Sequence, residues 1–258
     1  MPAPTLAEAL RGGATVISAW VGLPEPLISE LAARSGFDAV TLDVQHGLHD
    51  TGSVMRSVGS IAMAGKPAIV RLAVEDFALA SRALDFGAEA VIAPMINSVA
   101  DARRLVAATK YPPLGERSWG PARAMMLFGI TDPQVQLRTA NRSTLAIAMI
   151  ETKTAFAALD DILAVGGLDG VFVGPSDLSV TLSGGERIAP LDSFIEAPIR
   201  DIAKRAKAAG KIAGAYAVNG ERARFYREIG YRLIALGSDQ VYLSRGISAI
   251  LDEAGGPG

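Results

Sequence analysis

The chain contains no cysteine. Disulfides, thiolate nucleophiles and zinc–sulfur centres are excluded, and a reducing compartment, the cytoplasm, is the expected location. It also lacks a surplus of positive charge. Lys and Arg number 25 against 27 Asp and Glu, for a formal net charge of −2. That balance gives no field to attract nucleic acid and no basic face for an anionic membrane. No apolar run approaches the roughly 20 residues of a membrane span. The opening MPAPTLAEALRGG has no basic segment followed by an apolar one, so no secretory leader is expected. Three familiar signatures are missing too: the dinucleotide GxGxxG, the P-loop and the GxSxG nucleophile elbow. Histidine is scarce, with only His46 and His49.

What the chain has in abundance is alternation. Strand-length apolar runs occur at Ala14–Val21, Phe37–Val44, Pro67–Leu72, Ala90–Ala93, Leu145–Ile150, Gly170–Val173, Ile212–Ala217 and Leu233–Leu236. They are short, almost continuously apolar and rich in Val, Ile and Ala, as parallel strands buried on both faces are. Helical spacing fills the intervals at Pro26–Ser35, Val74–Phe86, Val99–Thr109, Ser193–Ala209 and Glu221–Ile229, and residues 238–253 form a last amphipathic helix. Gly36, Gly87, Gly210 and Gly230 each stop a helix just before a strand, which reads as one αβ turn used four times. Eight such units in 258 residues predict a single-domain (β/α)8 barrel over 1–258. A doubly wound open sheet is the alternative, but it usually carries the absent Gly-rich first turn. The fourth connection is long, with some thirty residues between Lys110 and Leu145, including YPPLGERSWG and MMLFGITD. Such an insertion suggests function or an oligomer contact.

In a barrel of this kind, chemistry gathers at the C-terminal ends of the strands. Asp43-Val44-Gln45-His46-Gly47 follows strand 2, Arg71 ends strand 3, Glu151 follows strand 5 and Asp177 follows strand 6. Neighbouring strands lie about 4.8 Å apart, so Glu151 and Asp177 can share one hard cation such as Mg2+ or Mn2+. Alternatively, each acid could merely cap the next helix, Asp177 as an N-cap in GPSDLS. Arg71 suits an oxyanion or carboxylate, or a structural pair with Asp43. His46 has the placement of a general base or of an exposed loop residue; His49 reads as incidental. The Gly174–Asp177 turn offers amides to an anion. No lysine projects from mid-strand, Lys153 being the nearest, so imine chemistry is disfavoured. Asp38, Lys66, Glu89, Asp169, Lys211 and Arg232 sit at the opposite strand ends and read as structural.

The segments FDAVTLDVQHG, IVRL, LDFGAEAVIAPMI, YPPLGERSWG, IETKTA and LDGVFVGPSDLS, spread from about Ala14 to Leu243, resemble the metal-dependent pyruvate aldolases. These are typified by 4-hydroxy-2-oxoheptanedioate and 2-dehydro-3-deoxyglucarate aldolase, of the phosphoenolpyruvate/pyruvate barrel superfamily. The resemblance implies Glu151 and Asp177 as ligands of a divalent ion (Mg2+, Mn2+ or Co2+). It implies Arg71 at the enolate oxygen and His46 as base through a metal-bound water. The Ser176 and Asp177 amides would hold the carboxylate of pyruvate or hydroxypyruvate, and Trp20 would line the pocket. Asp85 would reach a neighbouring subunit's histidine within a homohexamer whose C-terminal helices are exchanged. The partners implied are a 2-oxo acid and an aldehyde. Departures from the family pattern are Gln45 for an acid, Met149 for a Gln, Ser118 for a Gly and Ser176 for an Ala. Trp20, Met149, Leu127 and Phe128 are expected around an apolar aldehyde pocket. The competing readings are a 2-oxo acid decarboxylase or acyl-thioester lyase on the same barrel, a non-catalytic carboxylate-binding barrel, and a phosphate-binding isomerase.

Overall fold

A computed structural model describes residues 4–256. The first three and last two residues of the span expected as one barrel lie outside it. Eight strands, β1 (Val16–Val21), β2 (Ala39–Asp43), β3 (Ala68–Arg71), β4 (Ala90–Ala93), β5 (Leu145–Ile150), β6 (Gly170–Val173), β7 (Ile212–Ala217) and β8 (Leu233–Leu236), pair in parallel in chain order. β8 returns to β1 and closes the barrel. Helices surround it: α1 (Leu6–Arg11), α2 (Pro26–Arg34), α3 (Thr51–Met63), α4 (Phe77–Phe86), α5 (Val99–Thr109), α6 (Ala122–Phe128) and α7 (Pro133–Ser143) in the first part. α8 (Lys153–Ala157), α9 (Leu159–Leu163), α10 (Pro175–Leu182), α11 (Glu196–Ala208), α12 (Gly220–Glu228) and α13 (Asp239–Glu253) complete the ring.

The five later strands keep the predicted bounds, and the first three are shorter than their apolar runs. The four expected turn glycines all have positive φ, from 66° at Gly210 to 108° at Gly87, where a Cβ would be strained. Two helices begin later than expected. Glu75 at φ 60° breaks the chain before Asp76 caps α4, and a 3-10 turn at Ser193–Ile195 precedes α11. The long fourth connection holds two helices, α6 and α7. The second starts with Pro133 behind an Asp132 cap, the arrangement expected where a first-turn N–H has no partner to lose.

Strand alternation sorts the side chains into two layers. Leu145, Ile147 and Met149 of β5 join Val16, Ile69, Ile92, Phe172 and Leu233 in a cluster inside the barrel. Ala146, Ala148 and Ile150 face the helices in the larger outer cluster. Leu6 and Leu10 of α1 pack on the inner cluster and close the barrel's N-terminal end. The period of two matters for the site. Trp20, Asp43, Arg71 and Glu151 all have the inward parity of their strands, so the ends of β1, β2, β3 and β5 deliver them to one mouth.

Candidate active site

The mouth is a cavity of about 290 Å³ between the ends of β1, β2, β3, β6 and β7, with Trp20, Asp43, His46, Arg71, Met149 and Asp177 in its wall. Its centre is an ion pair. Arg71 donates from Nε to Asp43 Oδ1 at 2.8 Å and from Nη2 to Oδ2 at 2.6 Å, both side chains being buried. The structural partner considered for Arg71 is thus real, and Nη1 is the nitrogen left over for a second anion. Burial would push the Asp43 carboxyl up. The Arg71 hydrogen bonds and charge, helped by the His46 amide and the Trp20 indole, outweigh it and hold Asp43 below the usual carboxylate range. Trp20 donates from Nε1 to Asp43 Oδ2 at 3.1 Å and lies under the Arg71 guanidinium, 4.7 Å from its ring centre. Phe172 stacks on one side of Trp20 and Tyr216 meets it edge-on at 5.4 Å.

His46 is exposed at the rim, on a loop that Asp43 shapes by accepting from the Gln45 and His46 amides. Gly47 makes that loop possible. A Cβ there would fall 2.1 Å from the Asp43 carbonyl and 2.9 Å from Gly22 Cα. His49, read from sequence as incidental, is buried instead. Its Nδ1 lies 3.2 Å from Ser53 Oγ, and burial lowers its pKa against the pull of Asp239 and Asp43.

Glu151 stands apart electrostatically. It is 1% exposed, and Oε1 accepts the Met95 amide at 2.7 Å. Among the described residues no cation pairs with it. Desolvation raises its pKa, the Met95 bond opposes this, the nearby Asp177 charge raises it again, the Arg71 charge pulls it down without a direct ion pair, and the outcome is about 7. A methyl group on Gly174 would sit 2.7 Å from Glu151 Oε2, so the missing side chain keeps that oxygen's approach open. Asp177 is not the N-cap of α10; Gly174 holds that place, without a side-chain bond. Asp177 lies in the first turn, where its amide and that of Ser176 have no acceptor within the helix. Two neighbouring carboxylates, one buried without an ion-pair partner, fit a hard divalent cation. Among the described residues no group of three or more His, Asp or Glu suited to a metal occurs.

Other expectations divide. Trp20, Met149, Ser176 and Asp177 line the mouth together with Arg71 and His46. Lys153 is exposed at the start of α8. Leu127 and Phe128 do not border the mouth; they line a cavity at the opposite end of the barrel, because α6 lies against α4 and α3. Asp85, on α4, is outside the mouth of its own chain and is held by Arg117 at 2.6 Å. Sequence reasoning missed Tyr216 and Asp239. Asp239 is buried, accepts the Gly22 and Leu23 amides at 3.0 and 2.8 Å, and ties the first mouth loop to the start of α13. Both stand at strand ends, β7 and just past β8, and completing the circuit of strand ends would have found them.

With this arrangement in view, a family model described as HpcH/HpaI aldolase/citrate lyase matches residues 17–245. The chain belongs to the HpcH/HpaI family. It is 35% identical to a hydroxypyruvate/pyruvate aldolase of Rhizorhabdus wittichii over 94% of this chain and 95% of that one. It is 35% identical to a 4-hydroxy-2-oxo-heptane-1,7-dioate aldolase of Salmonella arizonae over 94% and 91%. A crystal structure of an HpcH/HpaI family protein from Burkholderia cenocepacia superposes with a TM-score of 0.85 at 30% identity, covering 96% of this chain and 98% of that one. Like these HpcH/HpaI relatives, the chain is a carbon–carbon lyase. No helix among the described residues is long and apolar enough to cross a membrane.

Proposed function

We propose that this lyase is a divalent-metal-dependent aldolase that forms or cleaves 4-hydroxy-2-oxo acids through the enolate of a pyruvate-type acid, pyruvate or hydroxypyruvate. The observation that carries the reading is the Glu151–Asp177 pair: a buried acid with no ion-pair partner, near enough to feel the charge of Asp177 in the wall of the mouth. Glu151 and Asp177 would hold Mg2+, Mn2+ or Co2+. When bound, the ion supplies Lewis-acid polarisation of a 2-oxo acid and lowers the acidity barrier at its methyl carbon. The chain's own groups do the rest. The Ser176 and Asp177 amides orient the carboxylate at the start of α10. Arg71, locked by Asp43 through Nε and Nη2, presents Nη1 to the keto oxygen as charge develops there. His46 takes the C3 proton through one water and returns a proton to the new 4-hydroxyl after addition to the aldehyde. In cleavage the same histidine removes the hydroxyl proton.

Trp20, Phe172, Met149 and Tyr216 form an apolar wall that excludes water and accepts a range of aldehydes. Met149 cannot donate a hydrogen bond to the substrate as an amide would. The working assembly in this reading is a cytoplasmic homohexamer with exchanged C-terminal helices. Its support is the exposed stripe of Leu243, Ile247, Ile250 and Leu251 on α13. There Asp85 serves a neighbouring subunit's His46.

The test is metal removal. A chelator abolishes aldol cleavage, and Mn2+, Mg2+ or Co2+ restores it. Borohydride added with pyruvate leaves the protein unlabelled. Full turnover in chelator, or a covalent adduct on Lys153, refutes the reading. Measuring pyruvate release with and without aldehyde formation separates this reaction from 2-oxo acid decarboxylation.

A further inference from the structure

A cavity larger than the mouth lies elsewhere in the molecule. It opens at the N-terminal end of the barrel, beneath α1 and between α4, α6 and α7, with a volume of about 780 Å³. Specific small-molecule sites run about 300–1,000 Å³ and combine apolar walls with a few polar groups that fix orientation. This cavity has that composition. Leu84, Ala88, Ala124, Leu127 and Ile130 supply apolar surface.

The polar groups divide by whether the fold already uses them. Glu8 is spent in the capping box of α1 with Thr5. Glu89 accepts the Leu6 amide at 2.7 Å. Arg11 pairs with Asp169 at 2.7 Å. Three others are unspent. Gln136 is 7% exposed, and its carboxamide makes no hydrogen bond with any described residue. Its amide atoms are not sealed off and border the open space of the cavity, free to bind a ligand. Lys66 and Arg142, also in the wall, have no acidic partner among the described residues. The unspent groups are therefore one amide and two cations around an apolar chamber.

We propose that this chamber is a second ligand site, which takes a carboxylic acid with a long apolar body. The acid's chain lies along Leu84, Ala88 and Leu127, and its carboxylate meets Gln136 and Arg142, with Lys66 at the rim. The chamber lies at the starts of β3, β4 and β5 (Pro67, Glu89, Thr144), and the catalytic mouth lies at their far ends. A ligand here does not compete with a 2-oxo acid for space, and the proposal is independent of the reaction assigned to the mouth.

The experiment is a calorimetric titration of the full chain with decanoate below its micellar range. Acetate tests the need for the apolar body, and decyltrimethylammonium tests the need for the anion. Decanoate binds saturably at one per chain, and the other two give no saturable heat. Gln136→Leu and Arg142→Gln each weaken decanoate binding about tenfold, while melting temperature and lyase turnover stay at the parent values. Decanoate affinity unchanged in both variants overturns the proposal. So does equal binding of the cationic chain. A Leu127→Glu variant that lowers the sedimenting mass, in a protein whose parent binds no decanoate, assigns the chamber to a second copy of this chain and also overturns it.

Discussion

Two acids at opposite ends of this barrel, Asp169 and Glu151, are treated in opposite ways. At the N-terminal end Asp169 is fully provided for. It accepts the Ala146 amide, pairs with Arg11, and meets Lys110 at 2.6 Å, while Lys110 also donates to the Asn141 and Thr144 carbonyls. At the C-terminal end Glu151 has one amide, a like-charged neighbour and only the unpaired pull of Arg71, and its pKa rises to about 7. Both are carboxylates at strand ends in one sheet. A satisfied acid serves stability at any working pH. An acid left short of counter-charge is carried at a cost in stability, which in the proposed function serves the metal.

Substitution at each end should separate the two kinds of acid. The largest effect belongs to the mouth. Asp177→Asn lowers aldol turnover on the order of a thousandfold, the scale of a main electrostatic contribution to a transition state, with the melting temperature held or raised. Steady-state rates beside thermal melts read both. A variant that stays active removes Asp177 from the chemistry. Next comes Lys110→Met. It strands Asp169 with only exposed Arg11 for charge and costs roughly 3–5 kcal/mol of stability, yet rates per folded molecule persist. A fall in turnover with unchanged denaturant midpoint would mean that the two ends are not separable.

The smallest effect is in pH. Without a divalent ion, folded Glu151 holds its proton up to about 7, whereas the unfolded chain releases it near 4.5. Stability therefore falls as pH rises through that window, by roughly 3 kcal/mol at 1.36 kcal/mol per unit. Asp43 acts in the other direction and elsewhere, since its lowered pKa costs stability only as pH falls below about 3.8. Urea melts from pH 4.5 to 8 in chelator should show the decline, and Glu151→Gln should flatten it. A decline that persists in Glu151→Gln belongs to another group.

The barrel was legible because its strands are apolar on both faces and its αβ turns carry glycine. Periodicity and punctuation each give the same eight units. Strand ends were less sharp for β1 to β3, where apolar residues continue beyond the last ladder pairing, as at Ala14 and Leu72. The mouth was legible in proportion to its nearness to a strand end. Asp43, Arg71 and Glu151 follow from reading the strand ends in order, since β2 ends at Asp43, β3 at Arg71 and β5 just before Glu151. His49 did not follow, because its burial depends on how the β2–α3 loop folds against Ser53 and the start of α13. Leu127 and Phe128 went astray for a related reason. They lie thirty-odd residues into an insertion, and no local pattern says which end of the barrel α6 will cover.

Asp239 grips the Gly22 and Leu23 amides with one carboxylate while standing as the first residue of α13. A single side chain thus bolts the rim of the mouth to the helix with the uncovered apolar stripe. Any body that clamps the far side of that helix also sets how stiffly the rim beside Trp20 is held.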